Sequence, residues 1–242
     1  MSTKMLDDLS STERLFTYKV KDDFGTAPNP FAGVCTLAIC KPAIRRVAKQ
    51  GDLIVGLTPG RDGRIVYCMQ VMDKKPWKEY IELCSNKAAR LAQPEYTNLN
   101  KKIPKSDQDQ GDCIWRDAAA YQEARPSYSG HGGTHHFWKD VLNGQNVLLS
   151  TKFWYFGKGD QFDIRLPEDL KLIIPGRGHQ SNANHNFRDY FVRFFNEELH
   201  TRSINEYGVY GTPQFIPGST DKSTCAHWKA IQNEDDQFEE EK

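Results

Sequence analysis

Three histidines lie within a short segment that also holds three glycines and a Phe-Trp pair, PSYSGHGGTHHFWKD at 126–140. His131, His135 and His136 have the spacing HxxxHH, and Asp140 follows them. Neutral imidazoles and carboxylates are ligands of zinc and iron. However, the HExxH pattern is absent, and the two intervening glycines disfavour the helix that would bring i and i+4 onto one face. We therefore expect no metal and no other cofactor here.

A second chemistry for this segment is the binding of an anion or of the polar edge of a base. GHGGTHH and PGRGH both contain backbone N–H groups that no side chain blocks, next to residues that donate hydrogen bonds. In the second motif we expect Arg177 and His179 to bond an anionic or polar group. Neither motif is a Walker or Rossmann fingerprint. The alternatives are an irregular loop and, for the second motif, a structural turn.

Aromatic residues are concentrated around the histidines and in the run FWYF at 153–156. In a strand, alternation sends Trp154 and Tyr155 to opposite faces. One face should belong to the core, and the other could line a pocket in which a base stacks, an interaction of about 1–3 kcal/mol per base. We expect Trp138 to stack on a base and Trp154 or Tyr155 to line the pocket. The alternative is that both faces are buried between a sheet and its covering helices.

Basic residues are concentrated between positions 41 and 49, where no acid occurs. Lys41, Arg45 and Arg46 recur at i, i+4 and i+5, so a helix would place most of their charge on one face. Each could neutralise a phosphate, and we expect these three residues to form a basic rim. The alternative is a solvated helix face. Further cations that could extend the rim are Lys49, Arg61, Arg64, Lys74 and Lys75.

Length and composition are those of a globular protein. The chain has 242 residues, of which 38% are hydrophobic, enough for a packed core. No apolar run reaches the length of a membrane helix and the first residues are polar, so we expect neither a membrane span nor a signal peptide, and a cytoplasmic location. The six cysteines form no CxxC pair, so we expect reduced thiols.

The formal net charge of zero is unevenly distributed. The last nine residues, EDDQFEEEK, hold six acids and one lysine, which leaves 31 basic and 26 acidic residues in the rest of the chain. We expect residues 1–12 to be an N-terminal tail, 13–218 a single domain, and 219–242 a C-terminal extension with an acidic, disordered tail. The tail could instead compete with phosphate for the basic surface.

Apolar patterns predict several short strands and few helices. A helix should begin near Pro42, and TPGRDG should join two strands as a hairpin. The clearest helix is 186–199, where apolar residues recur with the period of one face. The segment 86–135 has no regular pattern, so we expect it to wrap the surface. The predicted strands are 15–20, 34–40, 51–57, 64–71 and 146–157.

Several long stretches resemble the nucleotide modification associated domain family, type two. They are APNPFAGVCTLAICKPAIRR, QGDLIVGL, LLSTKFWYFG, and GRGHQS followed by FRDYFVRFFN. The resemblance covers the chain from the first strand to about residue 215 and implies a base-modification or phage-defence context in bacteria or phages, without a catalytic residue. The GD turn before a strand is also similar to PUA-like domains of the EVE or ASCH type. This analogy concerns the fold alone.

We therefore predict an α+β protein with a twisted, partly closed mixed β-sheet, a PUA-like pseudobarrel with covering helices. The predicted function is recognition of a nucleotide or modified nucleobase, in nucleic acid or free. The alternative is an enzyme of nucleotide or base modification that uses His135, His136 or His179 as a base or ligand. A third possibility is a scaffold that docks on a modifying enzyme. The sequence does not determine the base or the oligomeric state.

Overall fold

A computed structural model describes most of the predicted domain. The described residues are 5–6, 13–23, 25–31, 33–85, 137–158, 161–176, 178–182 and 185–213. The strands are β1 (Leu15–Lys19), β2 (Cys35–Leu37), β3 (Leu53–Leu57), β4 (Ile65–Gln70), β5 (Asp73–Pro76), β6 (Asn146–Ser150), β7 (Phe153–Tyr155), β8 (His179–Asn182) and β9 (Gly208–Val209). The helices are α1 (Pro42–Val47), α2 (Trp77–Ser85), a π-helix (Trp138–Asn143), a 3-10 helix (Glu168–Ile173) and α3 (His185–Thr201).

The described strands form two sheets. The larger is mixed, with six strands in the order β8-β1-β3-β4-β7-β9, in which β1 pairs with β3 and β7 with β9 in parallel. The smaller has three antiparallel strands in the order β2-β6-β5. The larger sheet does not close into a barrel. The predicted α+β class with a twisted, partly closed mixed sheet is confirmed.

The two sheets and their helices form successive layers because most strands are apolar on both faces. On β1, Leu15 packs in the layer that contains α3, whereas Phe16 and Tyr18 pack between the two sheets. On β6, Leu148 lies between the sheets, while its neighbour Leu149 packs in the layer that contains α2. Alternation places neighbouring apolar side chains on opposite faces of a strand, so both faces of each sheet are covered.

Helix α3 confirms the predicted aromatic helix at 186–199. Its residues Phe191, Phe195 and Leu199 are fully buried against the large sheet. Burial of each such side chain contributes about 1.5–3 kcal/mol.

The predicted strand 146–157 is two strands in two different sheets. The chain leaves the small sheet after Ser150 and enters the large one at Phe153. The Ser150 hydroxyl lies within hydrogen-bond distance of the carbonyls of Gln70 (2.6 Å) and Lys152 (2.9 Å), and its single hydrogen bonds one or is shared between them, which fixes this crossing. A continuous apolar pattern cannot show such a break, because both halves are buried on both faces.

Candidate functional site

A single row of residues crosses the large sheet at right angles to its strands. The register pairs His179 with Tyr18, Tyr18 with Gly56, Gly56 with Tyr67, and Tyr67 with Tyr155. Directly paired residues project to the same face of a sheet. The row therefore places three phenol groups and an imidazole on the face that lies toward the small sheet.

Gly56 allows two of these phenol groups to meet. The Tyr18 and Tyr67 hydroxyls are 2.9 Å apart and form a buried hydrogen bond, and their rings are in edge contact. A Cβ atom on Gly56 would lie 2.5 Å from Tyr67 Cε1 and 2.7 Å from Val20 Cγ2. Glycine inside a strand often marks such a close approach. Burial raises the pKa of both tyrosines well above the ordinary value, so both hydroxyls are protonated donors at neutral pH.

At its far end, the row meets the buried carboxylate of Asp23, which is 1% exposed. The Tyr155 hydroxyl lies 2.8 and 2.7 Å from the two carboxylate oxygens, and the backbone N–H groups of Gly25 and Lys158 also donate to them. Burial raises the pKa of Asp23, and the hydrogen bond from Tyr155 partly offsets this rise. Asp23 thereby fixes the loop after β1 to the end of β7.

Tyr155→Phe should destabilise the fold by roughly 1.5 kcal/mol near neutral pH, because a buried carboxylate loses its side-chain donor. The pKa of Asp23 is higher in the folded protein than in the unfolded chain. The free energy of unfolding therefore falls as the pH rises from the unfolded pKa through the folded pKa, where the buried carboxyl ionises. The variant should raise that pKa further. Its destabilisation should therefore shrink near pH 4, close to the pKa of about 3.9 of a free aspartate.

Urea unfolding at both pH values tests this expectation. Tyr210→Phe is the matched control, because the Tyr210 hydroxyl donates to the Glu206 carbonyl and not to a carboxylate. Its effect should be the same at both pH values. An equal loss at both pH values for Tyr155→Phe would contradict the assignment of the hydrogen bond to the ionised carboxylate.

Lys41 lies over the Tyr18 end of the row. Its ammonium nitrogen is 5.5 Å from the centre of the Tyr18 ring, within the range of a cation–π contact. Among the described residues, this ammonium has no acidic partner and no hydrogen-bond acceptor. The backbone that carries it is strained, because Cys40 (φ 59°) and Lys41 (φ 43°) are consecutive left-handed residues that are not glycine. Such strain is common at functional sites.

The backbone at Cys40 and Lys41 is held by Arg45, whose side chain is completely buried. Arg45 Nε donates to the Cys40 carbonyl (2.7 Å), and Nη1 donates to the carbonyls of Asp140 (2.8 Å) and Asn146 (2.9 Å). The Asp140 carboxylate accepts from the Cys40 N–H (2.9 Å) and lies 3.7 Å from Arg45 Nη2. Gly144 leaves room for the guanidinium, which a Cβ atom there would overlap.

The buried position of Arg45 corrects the predicted rim. The spacing predicts that Arg45 meets phosphate at the surface, but Nε and Nη1 donate to three backbone carbonyls, and Nη2 lies 3.7 Å from the Asp140 carboxylate. Asp140, which we had considered with the histidines, is its fully buried partner. Helix α1, on which the spacing predicted a basic rim, packs against the π-helix and β6.

Other predicted rim cations also have partners inside the protein. Arg46 donates to the backbone and side-chain oxygens of Asn143. Lys74 donates to the carbonyls of Arg46 and Ala48, at the end of α1 where cations are favourable. Burial and the nearby Arg14 lower the pKa of Lys74. Arg46 and Lys74 thus stabilise the joint between α1 and its neighbours.

Of Arg177 and the histidines predicted to act in the two glycine-rich loops, only His179 is described. It is half-buried on edge strand β8, opposite Tyr18, and its ring centre is 6.5 Å from that of Phe16. Lys41 and His179 therefore flank the same tyrosine. His131, His135, His136 and Arg177 lie outside the described residues.

The aromatic candidates are separated by the fold. Trp138 is on the π-helix and is 44% exposed, a position compatible with stacking on a base. Trp154 is fully buried, with Phe195 and Tyr207 in edge contact at 5.3 and 4.9 Å. The predicted pocket residue Trp154 thus lies in the α3 layer, away from Tyr155, because alternation sends it to the other face.

The described part of the chain contains no group of three His, Cys, Asp or Glu side chains that could hold a metal ion. None of its helices is both long and apolar enough to cross a membrane. A shallow depression lies on α3, apart from the tyrosine row. It is lined by Met5, Arg193, Asn196, Glu197, His200 and Thr201.

Sequence reasoning missed Tyr18, Gly56, Tyr67 and Asp23 as site residues. A signal existed for Gly56, since a glycine within the apolar strand GDLIVGL often marks a close approach of another group. The tyrosines give no such signal, because a phenol in a strand is an ordinary core residue. Only the register across five strands brings the row together.

Comparison with known families gives one result. A family model described as nucleotide modification associated domain 2 matches residues 12–214, more than half of the chain, and confirms the resemblance found in the sequence. The comparisons with curated proteins and with solved structures each gave no match. The residues of the site therefore have to be assigned from their geometry.

Proposed function

Because the chain belongs to the nucleotide modification associated domain 2 family, we propose that it recognises a nucleotide or a modified nucleobase at the Lys41 end of the tyrosine row. Lys41 supplies the positive charge, and Tyr18 and His179 supply neighbouring hydrogen-bond donors. Arg177, outside the described residues, stays a candidate donor to the same ligand. Trp138 offers an exposed ring on which a base can stack.

The observation that carries this proposal is the ammonium group of Lys41. Lys41 is half-buried, its ammonium is unpaired among the described residues, and a strained backbone holds it over Tyr18. The buried Arg45–Asp140 pair supports that backbone at the considerable desolvation cost of two charges. A cation that only solubilised the surface would need no such support. A phosphate group is a natural partner for it.

Lys41→Gln should reduce the affinity for the tightest nucleotide ligand by at least about tenfold, the loss expected when a charge-assisted hydrogen bond is removed. Isothermal titration of the full chain with free nucleotides and with single-stranded and duplex oligonucleotides, carrying plain and modified bases, measures this loss. Stability should change little, because this ammonium has no hydrogen-bond acceptor among the described residues.

Lys49→Gln is the matched control, since Lys49 is exposed beyond the other end of α1. It should leave the affinity within about twofold of the parent chain, as expected for a solvated surface charge. Unchanged binding of the best ligand by Lys41→Gln, or no binding of any member of the panel by the parent chain, would contradict the proposal.

A second candidate is an enzyme of nucleotide or base modification. His179 favours it, because an imidazole on the residue paired with Tyr18 is suited to proton exchange near neutral pH. His135 and His136 stay candidates for the same role. Mass spectrometry of nucleotides incubated with the chain separates the two functions, since a mass change that His179→Gln abolishes indicates catalysis. An unaltered mass supports recognition alone.

The wider setting is also a proposal. We propose a role in base modification or phage defence, in which a modifying enzyme is a candidate partner. A PUA-like mode of base recognition is compatible with the open, mixed sheet, and it would place the base near the end of β1.

A further inference from the structure

We infer that the group bound at Lys41 is the terminal phosphate of a free mononucleotide, and that the chain binds such a nucleotide in preference to a nucleic acid backbone. The inference rests on the proposed function, because it specifies the ligand of the same site. Two observations support it: few cations of segment 41–49 are available to contact a ligand, and tyrosine hydroxyls lie near Lys41.

Binding along a nucleic acid backbone requires a series of available cations, about one for each phosphate neutralised. The basic segment 41–49 does not provide one. Arg45 is buried and Arg46 is bonded to Asn143, so both of these cations already have partners within the protein. Lys49 is exposed, but α1 separates it from Lys41. Among the described cations of this segment, Lys41 is therefore an isolated, half-buried positive charge, which matches one phosphate and not a row of them.

The Tyr18–Tyr67 pair supplies a donor next to this charge. In the pair, one hydroxyl donates to the other, and the second hydroxyl retains its own hydrogen. The described residues provide no acceptor for that hydrogen, although buried polar groups almost always have partners. Both tyrosines are more than nine-tenths buried. A phosphate oxygen is a strong acceptor, and a hydroxyl hydrogen bond to it is charge-assisted.

The kind of phosphate follows from charge and geometry. A terminal phosphate carries about −1.5 to −2 charges at neutral pH and three free oxygens, whereas a phosphate within a strand carries one charge. A terminal phosphate can accept from Lys41 and a tyrosine hydroxyl together. The long, flexible Lys41 side chain lets its ammonium leave the Tyr18 ring and reach the phosphate while the strained backbone stays in place.

Calorimetric titration of the full chain with matched probes tests the inference. The probes are the common deoxynucleoside 5′-monophosphates, the corresponding nucleosides, inorganic phosphate, and one short oligonucleotide with either a 5′-phosphate or a 5′-hydroxyl. The best monophosphate should bind at least about tenfold more tightly than its nucleoside and than inorganic phosphate. The dependence of its binding constant on salt concentration should correspond to about one neutralised phosphate. The 5′-hydroxyl oligonucleotide should bind no more tightly than the nucleoside.

Tyr18→Phe adds a test of the hydroxyl pair. It should weaken monophosphate binding by about three- to tenfold and leave nucleoside binding unchanged. Tyr210→Phe, which removes a hydroxyl bonded to a backbone carbonyl outside the row, should change neither. Unchanged monophosphate affinity for Tyr18→Phe would overturn the role of the pair.

The two proposals fail in different ways. A 5′-hydroxyl oligonucleotide that binds more tightly than every monophosphate, and loses this affinity in Lys41→Gln, would overturn the inference and leave the proposed function standing. Equal affinities for nucleoside and monophosphate would also overturn it. Absence of Lys41-dependent binding for every probe would overturn the proposed function as well.

Discussion

Arg45→Met should destabilise the fold by about 3–5 kcal/mol, the loss expected when one partner of a buried ion pair is removed. The carbonyls of Cys40 and Asn146 would lose their guanidinium donors, and the Asp140 carboxylate would lose its positive partner. Methionine fills much of the space but donates no hydrogen bond. Urea unfolding monitored by circular dichroism measures the loss of the free energy of unfolding.

Arg45→Met should also weaken nucleotide binding, because Arg45 holds the backbone that positions Lys41. Arg45→Lys should not restore stability, since an ammonium cannot reproduce the planar set of donors. Lys49→Met serves as the control on the exposed side and should change stability by less than about 0.5 kcal/mol. A change this small for Arg45→Met would contradict the buried network.

Gly56→Ala should destabilise the fold by about 2–3 kcal/mol, near the upper end of the effect of overpacking a core. The new methyl would lie within 2.7 Å of Tyr67 Cε1 and Cδ1 and of Val20 Cγ2. Tyr67 is completely buried and cannot swing aside without losing its hydrogen bond to Tyr18. The variant should therefore separate the two hydroxyls and weaken monophosphate binding.

Gly176→Ala is the matched control, because a Cβ atom at Gly176 would meet no heavy atom within 4 Å. It should be neutral, or stabilising by about 0.4–1 kcal/mol through the reduced entropy of the unfolded chain. Both variants are compared by urea unfolding under the same conditions. A neutral Gly56→Ala would show that the row has room for a side chain and would contradict the packing described for it.

The sequence predicts well the features that depend on local periodicity. The aromatic helix appears as α3, and the alternation of FWYF places Phe153 and Tyr155 on one face and Trp154 and Phe156 on the other. The hairpin at TPGRDG joins β3 and β4 as expected. These features require only neighbours in the chain, which set the hydrophobic face of each element.

The candidate site depends on contacts that local patterns do not encode. Arg45 is buried because Asp140, 95 positions later, meets it in the interior. A helical spacing can show that Arg45 and Lys41 share a face, but not what covers that face. The left-handed backbone conformation of Cys40 and Lys41 is equally unpredictable from the sequence, since neither residue type favours it. The tyrosine row requires the register of five strands.

The crystal structure of the chain with its tightest-binding deoxynucleoside 5′-monophosphate would locate the bound phosphate. We predict phosphate oxygens within hydrogen-bond distance of Lys41 Nζ and of the Tyr18 hydroxyl, with the base directed toward His179 or Trp138. A nucleotide bound in the depression on α3, with the Lys41 ammonium still over the Tyr18 ring and no ligand atom in contact with it, would contradict the account.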